Sequence, residues 1–402
     1  MPPTPLASVV RRFPLLGRPR PDCPALPLRV QEVVDAVDGA RQKEHDAMAD
    51  AAHALNKAAL IASDSGMTGL AEHLCRQHID AYRRPGRPLT ILEARYLLEP
   101  VLNLARLQIR ADQGTTALRL LESMYQAITR RQDLTVAGQI LPLANLIGDE
   151  QDRRELRQWV WLQLICEGVR ALALAGRWEQ AAEHARRFNG IGDHLMEGRQ
   201  AEIIAHCLHG DRAQAQELLA RSITTQPWEQ DVAACLQLMC ADPSVELTVP
   251  NATVPNVAAA SARYTGRPRT GGYATYHARL GLTIATLSND TSPGLATVLL
   301  GQIADDAIRS ADGYAARDVL GFREPIEGIT DEQRRHLSRL AAEAGLGIAT
   351  LPEPILHQLT MATAEAAATL DSALTAHSLP DTNHRDLRSR QRDPNGRQGV
   401  LG

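Results

Sequence analysis

Apolar residues recur at helical spacing along most of this chain. Val30, Val33, Val34 and Val37 fall three to four residues apart, which places their side chains on one face of an α-helix. Ala54, Leu55, Ala58, Ala59, Leu60 and Ala62 repeat the pattern up to a break at Ser65-Gly66-Met67, after which Leu70, Ala71, Leu74 and Cys75 resume it. A helix over Ala94–Arg110, a break at Asp112-Gln113-Gly114 and a helix over Leu118–Thr129 follow. Val136–Gly148, punctuated by Gly138, Pro142 and Gly148, reads as an irregular excursion. Further helices are predicted at Asp231–Cys240, Tyr273–Leu287, Gly294–Ser310, Tyr314–Leu320, Asp331–Glu343 and Glu353–Leu374. Thr330 stands as an N-cap with Gln333 three residues on, the spacing of a capping box. Strand-like alternation is almost absent, so the expected fold class is all-α.

One turn repeats. Ala175-Gly176-Arg177-Trp178-Glu179-Gln180-Ala181 recurs 34 residues later as His209-Gly210-Asp211-Arg212-Ala213-Gln214-Ala215. Gly66 with Ala71, and Asp112 with Ala117, share the spacing of a turn residue followed five positions on by alanine. The other turn separations, 46 and 64 residues, make the array degenerate.

Composition sets the expected boundaries. Residues 1–28 hold eight prolines and read as a disordered head, 29–241 as the repeat domain, 242–272 as a linker, 273–376 as a further helical region and 377–402 as a disordered Arg-rich tail. The net charge of −4 is uneven: residues 1–29 carry +4 and 385–402 carry +3, which leaves −11 between them. So acidic a body argues against direct nucleic-acid binding, because phosphate binding needs a basic surface. Six cysteines without CxxC spacing read as reduced thiols. No apolar run has the length of a membrane span and no export signal is evident, so a cytoplasmic protein without membrane contact is expected.

Candidate chemistry is sparse. His73 and His78 flank Cys75, but positions five apart diverge around a helix. His194, Glu197, Glu202, His206 and His209 lack an HExxH or paired ExxH pattern. No metal and no cofactor are predicted. Phosphate-cradling and nucleophile-elbow motifs are missing, and Gly266–Gly272, glycine-rich and basic, reads as a flexible loop. These absences weigh against an enzyme.

Residues 50–228 resemble tetratricopeptide-repeat proteins. The resemblance is carried by Gly176-Arg177-Trp178 with Ala181, by Gly210-Asp211 with Ala215 and Pro227, and by the weaker pairs at Gly66 and Asp112. The chain also has the look, over Ala54–Asp64 and Gly198–Leu208, of a helical actinobacterial family that brings no activity with it. The repeat resemblance implies stacked antiparallel α-hairpins in a right-handed α-solenoid, with a concave groove lined by the first helix of each hairpin. Counting back from each turn puts His53, Asn56, Lys57, Ser63, Asp64, Glu99, Asn103, Arg106, Arg110, Gln163, Glu167, Arg170, Glu197 and Gln200 in that groove. Lys57, one of two lysines, interrupts the small apolar run Ala54–Ala62 and must snorkel or face water. Amide and guanidinium groups suit a peptide backbone or a carboxylate. The competing reading is a solvated helix face with pairs such as Glu167–Arg170. The expected function is a non-enzymatic adaptor that binds a peptide or protein segment. The alternatives are a regulatory sensor of a small molecule and an accessory protein or enzyme of a specialised biosynthetic pathway.

Overall fold

A computed structural model describes residues 5–42, 47–241 and 257–376. Among the described residues the regular structure is seventeen helices and one small ribbon. The helices up to the ribbon are α1 (Pro5–Val10), α2 (Leu26–Gln42), α3 (Ala47–Asp64), α4 (Thr68–Arg83), α5 (Ile91–Arg110) and α6 (Gly114–Arg130). The ribbon pairs β1 (Leu134–Val136) with β2 (Gln139–Leu141). Then come α7 (Glu150–Leu174), α8 (Trp178–Arg187), α9 (Glu197–His209), α10 (Arg212–Ala220) and α11 (Pro227–Cys240). The chain continues as α12 (Val257–Gly266), α13 (Ala274–Ser288), α14 (Pro293–Ser310), α15 (Gly313–Leu320), α16 (Asp331–Glu343) and α17 (Glu353–Ala376). The protein is all-α.

The four repeated turns close in the same way. Gly66, Asp112, Gly176 and Gly210 have φ of 84°, 59°, 71° and 83°, a left-handed conformation that glycine adopts without penalty and aspartate tolerates. At each, the following N–H reaches the carbonyl five residues back: Met67 to Ala62 at 2.9 Å, Gln113 to Gln108 at 2.8 Å, Arg177 to Leu172 at 2.9 Å and Asp211 to His206 at 3.0 Å. That bond belongs to the Schellman closure, which satisfies a helix's last carbonyls while the chain reverses. The alanines five positions on, Ala71, Ala117, Ala181 and Ala215, are all fully buried. A leucine at such a contact would overpack it by about 1–3 kcal/mol. The predicted capping box at Thr330 and Gln333 also forms.

Each helix from α2 to α11 packs on the next, and alternate helices also touch, α3 on α5, α5 on α7, α7 on α9 and α9 on α11. The alternate row continues through α13 to α15. It then returns to its start, where the Tyr314 hydroxyl on α15 donates to Asp64 at the end of α3. The backbone supports this return: Gly347 N–H donates to Asp64 O and Ala349 N–H to Ser65 O, both at 2.8 Å. The last helix, α17, lies on α2, α3 and α4. Two large apolar cores result, one joining α2–α7 with α17 and one joining α1 and α7–α16.

Several sequence expectations need correction. The head is not disordered over its described part: Val9, Val10, Phe13 and Leu15 are buried in the second core, and Arg12 lies 5.1 Å over the Phe322 ring. The prolines broke the apolar periodicity without removing the apolar residues, and four buried side chains are enough to dock the segment. Within 136–148 the chain makes β2 and turns at Ala137-Gly138, both with positive φ (47° and 82°), the two-residue turn whose twist matches a hairpin. Of the expected linker, residues 242–256 lie outside the described residues, 257–266 form α12, and the following loop is tied down. Arg267 pairs with Asp231 at 2.6 Å, and Arg269 pairs with Asp306 at 2.7 Å while covering the Tyr264 ring. The expected tail, 377–402, lies outside the described residues. Cys207 and Cys240 form a disulfide linking α9 to α11, so these two are not the reduced thiols expected. No helix among the described residues is long and apolar enough to cross a membrane.

Candidate functional site

The row α3–α5–α7–α9 carries the groove residues that the repeat register selects, and one end of it is already covered. Between α1 and α2, residues 15–25 have no regular structure and run over α9 towards α13 and α15. Gln200 holds this strap through its amide. Leu15 N–H donates to Gln200 Oε1 at 2.8 Å, and Gln200 Nε2 donates to the carbonyls of Leu15 at 2.8 Å and Leu195 at 2.6 Å. A side-chain amide is donor and acceptor at once, so it pairs with one residue's backbone much as a neighbouring strand would. Two residues on, Gly17 faces Trp228 so closely that a Cβ there would sit 2.3 Å from Trp228 Cβ. Arg18 then forms a two-pronged pair with Glu197 at 2.9 and 3.2 Å. Burial disfavours the Arg18 charge, but Glu197 and the Cys166 sulfur together outweigh it and the pKa is raised. Arg20 N–H donates to Gly272 O at 2.8 Å, and Cys23 N–H to Asp312 Oδ2 at 2.9 Å.

Glu197 and Gln200 are therefore buried under the chain's own strap and do not line an open groove. Glu167 and Asp64 are buried as well. Asp64 takes Arg29 at 2.6 Å, Arg110 at 3.1 Å and Tyr314, three groups from three helices. It is a closure point of the fold. The register names residues on α3, α5, α7 and α9; it says nothing about what later packs there.

The other end stays open. Asn56 on α3 donates to Glu99 on α5, Asn103 donates to Asn56 Oδ1 at 3.3 Å, and Arg106 donates to Asn103 Oδ1 at 3.3 Å. Arg106 and Arg170 both pair with Glu167 on α7, at 2.7 and 3.3 Å. The result is a continuous polar ladder across three helices. The Glu167–Arg170 pair of the solvated-face reading is present as one rung of it. Asn56, Glu99, Asn103, Arg106 and Gln163 are half-buried, and His53, Arg110 and Arg170 are exposed. Lys57 leaves the ladder for Glu32 on α2, at 2.7 Å. Burial and then the Lys57 charge push the His53 pKa down. Arg110 also reaches Ser63.

Glu167 is buried, yet Arg106 and Arg170 hold its carboxyl below the usual range. Arg170 is 44% exposed at its side chain, yet desolvation, opposed by Glu167, lowers its pKa, with Arg279, Arg106 and Arg20 acting in the same direction. Arg20 is exposed and shows the same effect, from burial first and from Arg279 next. Arg279 on α13 pairs with Asp318 on α15 at 2.6 Å.

Arg18, Arg20, Arg279, Asp318 and Tyr314 were absent from the sequence-derived site. Only the apolar doublets Val9-Val10 and Leu15-Leu16 beside the head arginines hinted that the head docks. Among the described residues no group of three or more metal-ligating side chains converges. Cys75 and His78 are both buried in the first core.

Compared with known protein families, curated proteins and solved structures, the chain matches none.

Proposed function

We propose that this protein is a non-enzymatic helical-repeat adaptor, a TPR-like right-handed α-solenoid whose inner row binds an extended peptide or protein segment over α3, α5 and α7. One observation carries the reading: the α9 stretch of the same row already holds a non-helical segment, the chain's own Leu15–Arg18, by backbone pairing to Gln200 and an ion pair to Glu197. Asn56 and Asn103 repeat that chemistry at the open end, where side-chain amides offer donors and acceptors to a passing backbone.

The test is selection from a displayed library of random peptides on the full-length chain, with an Asn56→Ala/Asn103→Ala double variant as comparator. Selected peptides should bind the double variant at least about tenfold more weakly while its melting temperature is unchanged, the loss expected when about 1.4 kcal/mol of contact disappears. Failure to enrich any peptide, or equal binding to the double variant, rejects the reading.

A further inference from the structure

A cavity of about 340 Å³ lies among α12, α13 and α14, with Asp22 of the strap and the loop 269–271 completing its wall. That volume falls within the roughly 300–1,000 Å³ that small-molecule sites span. Ala274, Ala278, Ile303 and Ala307 give it an apolar lining. Its charged lining residues balance, Arg269 and Arg309 against Asp22 and Asp306, and they are largely spent on the protein itself. Asp306 takes Arg269 at one oxygen, at 2.7 Å, and Arg309 at the other. Arg269 also donates to Tyr264 O at 3.0 Å, and Asp22 accepts from Gly272 N–H at 3.2 Å. His277 is different. It lines the cavity, is 8% exposed, and its ring makes no hydrogen bond among the described residues. Nδ1 is sealed from solvent, which leaves Nε2 as the ring nitrogen within the cavity's reach. Burial, with Arg269 and Arg267 next, pushes the His277 pKa down to about 4, so the ring is neutral at neutral pH and carries one proton. A proton on Nδ1 would be a buried N–H without an acceptor, a rarer orphan in folded proteins than an unused lone pair. The proton is therefore assigned to Nε2, as a donor that the protein itself does not use.

We infer that this cavity binds a small uncharged molecule, apolar over most of its surface, that presents a carbonyl-type oxygen to His277 Nε2. The ligand class follows from the lining. Balanced charges favour a ligand without net charge, because an ion would give up its hydration for groups that are already paired. The four apolar residues gain from an apolar body laid against them, whereas a water molecule would satisfy the nitrogen alone. An unused N–H donor selects an oxygen acceptor. The site is built on α12–α14 and does not depend on peptide binding over α3, α5 and α7.

The experiment is a nuclear magnetic resonance titration of the full-length chain, labelled with ¹⁵N-histidine, with acetophenone and, separately, with benzoate, which has nearly the same shape but carries a charge. The His277 signal is identified by its absence in His277→Phe. Acetophenone should shift the His277 Nε2 resonance saturably, and benzoate should bind at least about tenfold more weakly. His277→Phe keeps a ring of similar size without the donor, and Ala274→Leu fills the cavity from a half-buried position. Each should weaken acetophenone at least about tenfold. His277→Phe should not lower the melting temperature of the free protein, because it also removes an unpaired buried nitrogen. Benzoate binding as tight as acetophenone overturns the uncharged ligand. Absence of a saturable shift with acetophenone, or wild-type affinity in both variants, overturns the site. Should His277→Phe fail to fold, Ala274→Leu decides.

Discussion

The α3–α5 and α9 stretches of the alternate-helix row are built from similar residues and do opposite things. At α9, Glu197 and Gln200 are buried because the strap supplies a partner for each. At α3 and α5, Asn56, Glu99 and Asn103 bond to one another and to Arg95 and Arg106, and remain half-buried. The same kind of polar side chain is thus a structural clamp where the chain returns over it and an open ladder where it does not. Polar residues on the first helices of such an array do not by themselves mark a ligand site; what later packs against them decides.

The largest effect that would break this comparison comes from removing the strap. A chain beginning at Leu26 loses Val9, Val10, Phe13 and Leu15 from the second core. At about 1.5–3 kcal/mol for each buried side chain, the loss is on the order of 6 kcal/mol or more, comparable to a domain's whole net stability. Urea unfolding of that chain should show a lost or strongly weakened cooperative transition. A truncated chain as stable as the whole would mean that the strap is an ornament and the sealed end is not sealed by it.

The next effect tests the core beneath the open end and is read from pH. His78 on α4 is buried with neither ring nitrogen hydrogen-bonded, and burial pushes its pKa down to about 3 from an ordinary 6.5. The unfolded chain therefore binds the extra proton first. Stability from the neutral imidazole is complete above about pH 6.5 and falls as the pH drops towards 3, by about 1.4 kcal/mol per pH unit. A His78→Leu variant should lack this slope, so its advantage over the parent should grow between pH 6 and 4 in chemical unfolding. Parallel pH curves would show that His78 reaches water in the folded protein.

Gln200→Leu sharpens the comparison at a single residue. It strands the Leu15 N–H, the Leu15 carbonyl and the Leu195 carbonyl in a buried place. A cost of about 3 kcal/mol is expected, at about 1–3 kcal/mol for each buried polar group left unpaired. Hydrogen exchange at the Leu15 amide should accelerate in parallel; an unchanged rate would remove the clamp. The smallest effect belongs to the open end. Asn103→Ala should alter stability by under about 0.5 kcal/mol, the usual size for a surface substitution, and a cost near that of Gln200→Leu would mean the ladder is structural too.

What the sequence determined by itself is local. Gly66, Asp112, Gly176 and Gly210 were legible as turns because a left-handed backbone selects glycine or a short polar residue, whatever surrounds it. Ala71, Ala117, Ala181 and Ala215 were legible as helix contacts from their fixed distance to those turns. Counting back from the same turns named Asn56, Asn103, Arg106 and Arg170 together, and side-chain bonds link the first three and join the fourth through Glu167. Three things were decided only by tertiary structure. The strap lies over α9, because four apolar side chains and one amide reward docking that no periodicity records. The row returns from α15 to α3 through Tyr314 and Asp64, residues 250 positions apart. And Glu167 on α7 takes Arg106 from α5 as well as Arg170 from its own helix, a pairing that exists only once those helices have been brought together. Turns and helix faces are set by neighbours in the chain, whereas burial and charge density are set by neighbours in space.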